Sequence, residues 1–174
     1  SVCIDRVAAS GGYLMACVAD HVVAAPFAIV GSIGVVGQLP NFHRLLKKHD
    51  VDYELHTAGD YKRTLTVFGE NTETGRAKFR EELEDTHRLF KNHIARHRPR
   101  VELEKVATGE YWLGERAREL DLVDAVGTSD DFLLERRDTM ELVALRFHRR
   151  RSLSKRLSVA FESVLSRLSG FGAG

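Results

Sequence analysis

Apolar and polar positions along the chain form short runs that switch between a two-residue and a three-to-four-residue period. Val2-Cys3-Ile4 and Val7-Ala8-Ala9 make one apolar stretch that reads as a strand. Ser10-Gly11-Gly12 follows, and Tyr13 to Ala19, rich in Leu, Met and Ala, reads as two helical turns. Val22 to Ala25 is a short buried strand stopped by Pro26. No residue from Val22 to Phe42 carries a formal charge, yet Pro26, Gly31, Gly34, Gly37 and Pro40 punctuate this stretch as strands and loops, not as a membrane span. The pattern then predicts a helix over Phe42–His49 with Leu45 and Leu46 inward, and a strand over Tyr53–His56. Residues 57–69 read as a loop at their start, without a clear pattern after it.

The clearest element is a helix from Thr74 to Arg98. Phe79, Leu83, Thr86, Phe90 and Ile94 recur on one face, Glu81, Glu84, Asp85, Arg88 and Lys91 lie on the other, and Pro99 ends it. A shorter helix is expected over Gly114–Leu120 and a last strand over Leu122–Val126. Leu153, Leu157, Phe161, Val164, Leu165 and Leu168 line one side of a terminal amphipathic helix. Strands alternating with helices predict an α/β domain with a mostly parallel sheet.

Composition adds limits. With 174 residues, 43% hydrophobic and only two Cys, the chain suits one globular core and excludes a disulfide scaffold, a collagen-like chain or a disordered one. Cys3 and Cys17 sit in apolar runs and are expected as buried thiols. The net charge of +1 is a cancellation: seven basic residues from Arg146 to Arg167 face Glu162 alone, so a basic tail follows an acidic body. The chain enters a core strand directly after Ser1, which reads as a piece of something longer.

Ala8-Ala9-Ser10-Gly11-Gly12-Tyr13 carries the most chemical information. A serine at a strand-to-helix corner exposes its hydroxyl where a helix dipole favours negative charge. Gly11 and Gly12 admit a substrate backbone, and the Gly11 amide is placed to donate to an oxyanion. These residues equally suit an N-cap and a tight turn, and the stretch alone leaves both readings open. A nucleophilic serine needs a base. Among the histidines, His43, His49, His87, His93 and His97 fall on helices, and His21 and His56 beside strands. Those on helices read as solvated or interface residues, nothing in the spacing assigns His21 or His56 an orienting carboxylate, and His93 and His97 lack the third ligand that a metal site requires. A lysine serves instead where burial lowers its pKa from about 10.4 towards neutrality. Lys62, in Thr57-Ala58-Gly59-Asp60-Tyr61-Lys62, is one surface lysine among several when read alone.

Taken together, the motifs are more specific. Val7-Ala8-Ala9-Ser10-Gly11-Gly12-Tyr13, Gly31-Ser32-Ile33-Gly34-Val35, Ala58-Gly59-Asp60-Tyr61-Lys62 and Thr108-Gly109-Glu110-Tyr111-Trp112-Leu113-Gly114, with Leu122-Val123-Asp124, resemble in order the signal peptide peptidase A family of serine proteases, and most closely its SohB branch. The resemblance implies Ser10 as nucleophile, Lys62 as general base, Ser32 as the residue orienting the lysine, and Gly11 as one oxyanion donor. It implies a ClpP/crotonase-like βαβ superhelix, of which residues 1–128 form the C-terminal part, with residues 129–174 as an extension bearing the basic amphipathic helix. No metal or cofactor is implied. Peptides are the implied partners, signal-peptide remnants or other hydrophobic peptides the substrates, and a homo-oligomeric ring the assembly, with Ser and Lys able to come from neighbouring copies. The implied location is the bacterial cytoplasmic membrane, with the catalytic domain facing the periplasm or exterior. The family's membrane anchor, first βαβ units and a second oxyanion donor fall before the equivalent of Ser1.

Two other classes remain open at this level. Gly11-Gly12-Tyr13 with Ala16, Asp20 and Ala24-Ala25 also resembles an enoyl-CoA hydratase/isomerase core, and a non-catalytic membrane scaffold of the same fold is a further reading. The basic tail suits packing on protein or on anionic lipid, whereas nothing accompanies its arginines that would mark nucleic-acid binding.

Overall fold

A computed structural model describes residues 1–146; the expected terminal helix lies outside the described residues. The chain divides into two units, residues 1–139 and 140–174. The first contains all the regular structure described here. Residues 140–146 of the second have no regular structure, and Met140, Leu142, Val143 and Leu145 are exposed.

The apolar stretch at the start forms two strands in two sheets. β1 (Val2–Ile4) pairs in parallel with β3 (Val22–Ala24), which pairs in parallel with β6 (Ala125–Val126). β2 (Val7–Ala9) pairs in parallel with β4 (Ile29–Gly31), and β4 pairs antiparallel with β5 (Tyr111–Leu113). Ile4 faces Ala24 and Val7 faces Ile29, so two residues separate the strands on the first run and four on the second. The surplus is a turn around Pro26, closed by the Ala28 N–H donating to the Ala25 carbonyl at 2.9 Å. A single-strand reading missed this because apolarity alone does not show where a strand changes partner.

Six helices complete the unit: α1 (Gly11–Ala16), α2 (His43–Lys48), α3 (Glu73–His97), α4 (Leu103–Val106), α5 (Gly114–Glu119) and α6 (Ser129–Leu134). α3 matches the sequence pattern to within a residue at each end, and Thr72 caps it by accepting from the Gly75 N–H at 3.0 Å. Two expectations fail. Tyr53–His56 forms no strand; residues 51–56 are exposed and none is paired in a sheet, so alternation had no ladder to join. α2 buries no residue, and Leu45 is exposed. Its apolar positions face no core within the described residues, which composition cannot reveal.

The core gathers Tyr13, Cys17, Val22, Val30, Ile33, Ile94, Val106, Leu122 and Val123, all fully buried. Tyr13 donates its hydroxyl to the Leu122 carbonyl at 2.7 Å, and burial pushes that phenol well above its ordinary pKa range. Cys17 is buried as expected, with its thiol pushed up by the same cause, while Cys3 is half-buried. Asp124 knits the far side of the core. It accepts both guanidinium nitrogens of the buried Arg98, at 2.8 and 2.9 Å, and the Val22 N–H at 2.8 Å. Asp5 receives the N–H and hydroxyl of Ser129, at 2.8 and 2.6 Å, which ties α6 to the start of the chain. No described helix is long and apolar enough to cross a membrane.

Candidate active site

The parallel pair β2 and β4 ends with Ala9 opposite Gly31, so Ser10 and Ser32 leave adjacent strand ends together. Ser10 donates its N–H to the Gly31 carbonyl at 2.8 Å, which carries the ladder one step past the strands. The chain then turns abruptly. Ser10 has φ 50° and ψ −119°, a left-handed conformation that costs a side-chain-bearing residue about 1–3 kcal/mol. Ser32 has φ 50° as well.

Strained backbone persists only where neighbours fix it. At Ser10 the fixing contacts are the bond to Gly31 and the start of α1, where the Ser10 carbonyl accepts from Tyr13 and Leu14 N–H, both at 3.0 Å. The Ser10 side chain makes no capping bond to the helix. The N-cap reading therefore loses its side-chain bond, and the hydroxyl stands exposed at a strained strand-to-helix corner. Gly11 and Gly12 open α1, so their N–H groups are among those a helix leaves without intrahelical partners. A Cβ added at either glycine would meet nothing within 4 Å. Their small size answers to no packing among the described residues and leaves a clear approach to Ser10.

Ser32 is held from the opposite side. Its N–H donates to the Glu110 carbonyl at 2.7 Å, and the next carbonyl, of Ile33, accepts the Gly109 N–H at 3.2 Å. Two glycines make this contact close enough. Gly31 has φ 102° and lies against the Trp112 ring, and a Cβ on Gly34 would come within 2.8 Å of the Gly109 Cα. The GSIGV and TGEYWLG motifs are thus the two sides of one tight contact.

Ser10, Gly11 and Ser32 line a single cleft of about 750 Å³ with Leu14, Val35, Val36 and Phe90 as its apolar wall. His87 of α3 also borders it; its Nε2 donates to the Ile33 carbonyl at 3.2 Å. Sequence reasoning passed over His87, although His87, Phe90 and Ile94 follow the helical step of the face that packs inward. Thr86, expected on that face, is exposed.

Lys62 stands elsewhere. It is exposed in the segment between α2 and α3 and is not among the residues that line the Ser10 cleft. Its N–H donates to the Gly59 carbonyl at 3.2 Å, in a turn where Gly59 has φ 95°. The segment after it is tethered: Asn41 donates to the Thr66 and Gly69 carbonyls at 2.8 and 2.9 Å, and Asn71 accepts the Thr66 N–H at 2.8 Å. Within one chain the structure brings Ser10, Gly11 and Ser32 together and leaves Lys62 outside. Among the described residues no three His, Cys, Asp or Glu side chains stand close enough to hold a metal ion.

Comparison with known proteins agrees with the motif order. Peptidase family S49 matches residues 1–143. The chain is 55% identical over 156 residues to a protein of Haemophilus influenzae named probable protease SohB, covering 90% of this chain and 44% of that protein. It is 54% identical over 165 residues to a probable protease SohB of Buchnera aphidicola from Acyrthosiphon pisum, covering 95% of this chain and 49% of the relative. A third, from the Buchnera of Schizaphis graminum, is 58% identical over 135 residues, covering 78% of this chain and 40% of its own length. The chain spans about half the length of the curated relatives it matches.

Proposed function

The chain belongs to peptidase family S49, and from that premise we propose that it carries the nucleophile of a serine endopeptidase with a Ser10–Lys62 dyad. The Lys62 amine takes the Ser10 hydroxyl proton as Oγ bonds to the scissile carbonyl carbon. The Gly11 N–H donates to the oxyanion that forms. Collapse of this intermediate breaks the C–N bond, the proton passes from the lysine to the leaving amine, and an acyl-enzyme remains. Lys62 then removes a proton from water as its oxygen bonds to the acyl carbon; the C–Oγ bond breaks, and the lysine returns the proton to Ser10 Oγ. Ser32, half-buried beside Ser10, orients the lysine amine.

The observation that carries this reading is the strained, exposed Ser10 beside an open glycine pair. A crotonase-type site, which works through backbone amides, gives no reason to strain a serine there.

The position of Lys62 outside its own chain's cleft supports a dyad completed between neighbouring copies in a ring. The fold belongs to the ClpP/crotonase-like superhelix, with residues 1–128 as its C-terminal part and 129–174 as an extension. The apolar wall of the cleft suits hydrophobic peptides, including signal-peptide remnants, presented at the bacterial cytoplasmic membrane on its periplasmic or outer side. No metal or cofactor takes part in the proposed steps. A serine-directed fluorophosphonate applied to the full-length protein tests the dyad. Ser10 is expected to take the label and Lys62→Ala to lose it; labelling that survives either Ser10→Ala or Lys62→Ala removes the proposal.

A further inference from the structure

Among the described residues lining the Ser10 cleft, His87 is the one titratable side chain. It reaches from the middle of α3 to a carbonyl 54 residues earlier in the chain, that of Ile33. That carbonyl already accepts the Gly109 N–H, and it follows directly on Ser32, whose φ of 50° needs outside support. Ser32 is held on its N-terminal side by the Glu110 carbonyl. On its C-terminal side the only side chain bonded to the Ile33 carbonyl, among the described residues, is His87.

We propose that His87 is a positioning residue for the serine site: its ring N–H, bonded to the Ile33 carbonyl, holds the Ser32–Ile33 turn so that the Ser32 hydroxyl faces the reacting groups. The proposal rests on the reading of Ser10 and Ser32 as site residues. The bond runs to a carbonyl, which only accepts, so Nε2 carries the proton in either charge state of the ring. A glutamine places an N–H at comparable reach, and a leucine fills similar space without a donor. The Gly31 carbonyl that anchors Ser10 lies on the same short run of chain, so a shift at Ile33 is passed to both serines.

The test uses the full-length protein, a fluorophosphonate probe and a fluorogenic apolar peptide. His87→Leu is expected to lower kcat and the labelling rate about ten- to a hundredfold with KM little changed, the effect of misplacing a site by a fraction of an ångström to an ångström. His87→Gln is expected to recover most of both, which a mere space-filling role would not produce. Should His87→Leu fail to fold, His87→Asn, whose shorter amide stops short of Ile33, takes its place with the same expectation. Labelling of folded His87→Leu at the wild-type rate, or a His87→Gln as slow as the leucine variant, overturns the positioning role. Undiminished labelling of Ser10→Ala instead overturns the underlying site reading, so the two failures are distinguishable.

Discussion

The Ser10 N–H bonds to the Gly31 carbonyl at 2.8 Å, one step beyond the last paired residues of two parallel strands. The bond places the strained Ser10 beside Ser32, whose φ is likewise 50°. Neither conformation is one that a side chain selects for itself, so both serines sit at a cost in stability that a purely structural corner would avoid.

The first prediction follows from that cost. Ser10→Gly relieves the positive φ and is expected to raise stability by about 1 kcal/mol, whereas Ser10→Ala, which keeps a Cβ, is expected to leave it nearly unchanged. Both variants are expected to lose peptide cleavage. Thermal unfolding and a cleavage assay on the same preparations check this, and a Ser10→Gly less stable than the alanine variant would show that the corner is unstrained.

A second prediction concerns Lys62. If its amine serves the Ser10 of a neighbouring copy, inactive Ser10→Ala and inactive Lys62→Ala proteins are expected to regain activity when unfolded together and reassembled. The recovered level is roughly a quarter of wild type, the share of sites that draw both intact residues at random. A mixture that stays inactive while the same protocol restores the wild type would place the lysine in its own chain's site.

Tyr13 connects the site to the core, three residues after Ser10. Tyr13→Phe removes the hydroxyl and leaves the buried Leu122 carbonyl without its 2.7 Å donor. The expected loss is about 1–3 kcal/mol in chemical denaturation. Because the ring itself still fills the space, fluorophosphonate labelling of the folded variant is expected to stay near the wild-type rate.

How much of this was legible beforehand depends on what each feature rests on. α3 was readable because its spacing and its closing Pro99 are local, and the Ser10 corner because small residues between a strand and a helix leave a compositional mark. The split of residues 2–9 between two sheets was hidden, since pairing with residues 22–31 is a long-range event. His87 was hidden for the same reason: its partner Ile33 lies in another part of the sequence. Residues 53–56 misled because alternation describes a strand's surface and says nothing of whether a neighbour exists to pair with it. Backbone strain at Ser10 leaves no mark in composition at all.

The last prediction takes its sign from the carboxylates. Burial opposes the Asp124 charge, but hydrogen bonds from Arg98 and the Val22 N–H, with the attraction of Arg98, outweigh it and hold the carboxyl below its ordinary range. Asp5 and Asp131 are lowered too, by hydrogen bonds from Ser129 and Thr128. A carboxyl with a lowered folded-state pKa contributes stability that is complete above its unfolded value of about 3.9 and is lost as pH falls through the folded value. Stability is therefore expected to be insensitive to these groups from neutral pH to about pH 5, and to fall steadily below about pH 4. Asp124→Asn keeps an acceptor for Val22 but leaves Arg98, only 7% exposed, as a buried unpaired charge, and is expected to cost about 3–5 kcal/mol at pH 7. It also removes one of the groups that must be protonated, so its stability should fall less steeply with acid than that of the wild type. Urea denaturation at a series of pH values measures both effects, and an equal acid slope in the two proteins would mean that the Arg98–Asp124 pair is not what couples this fold to pH.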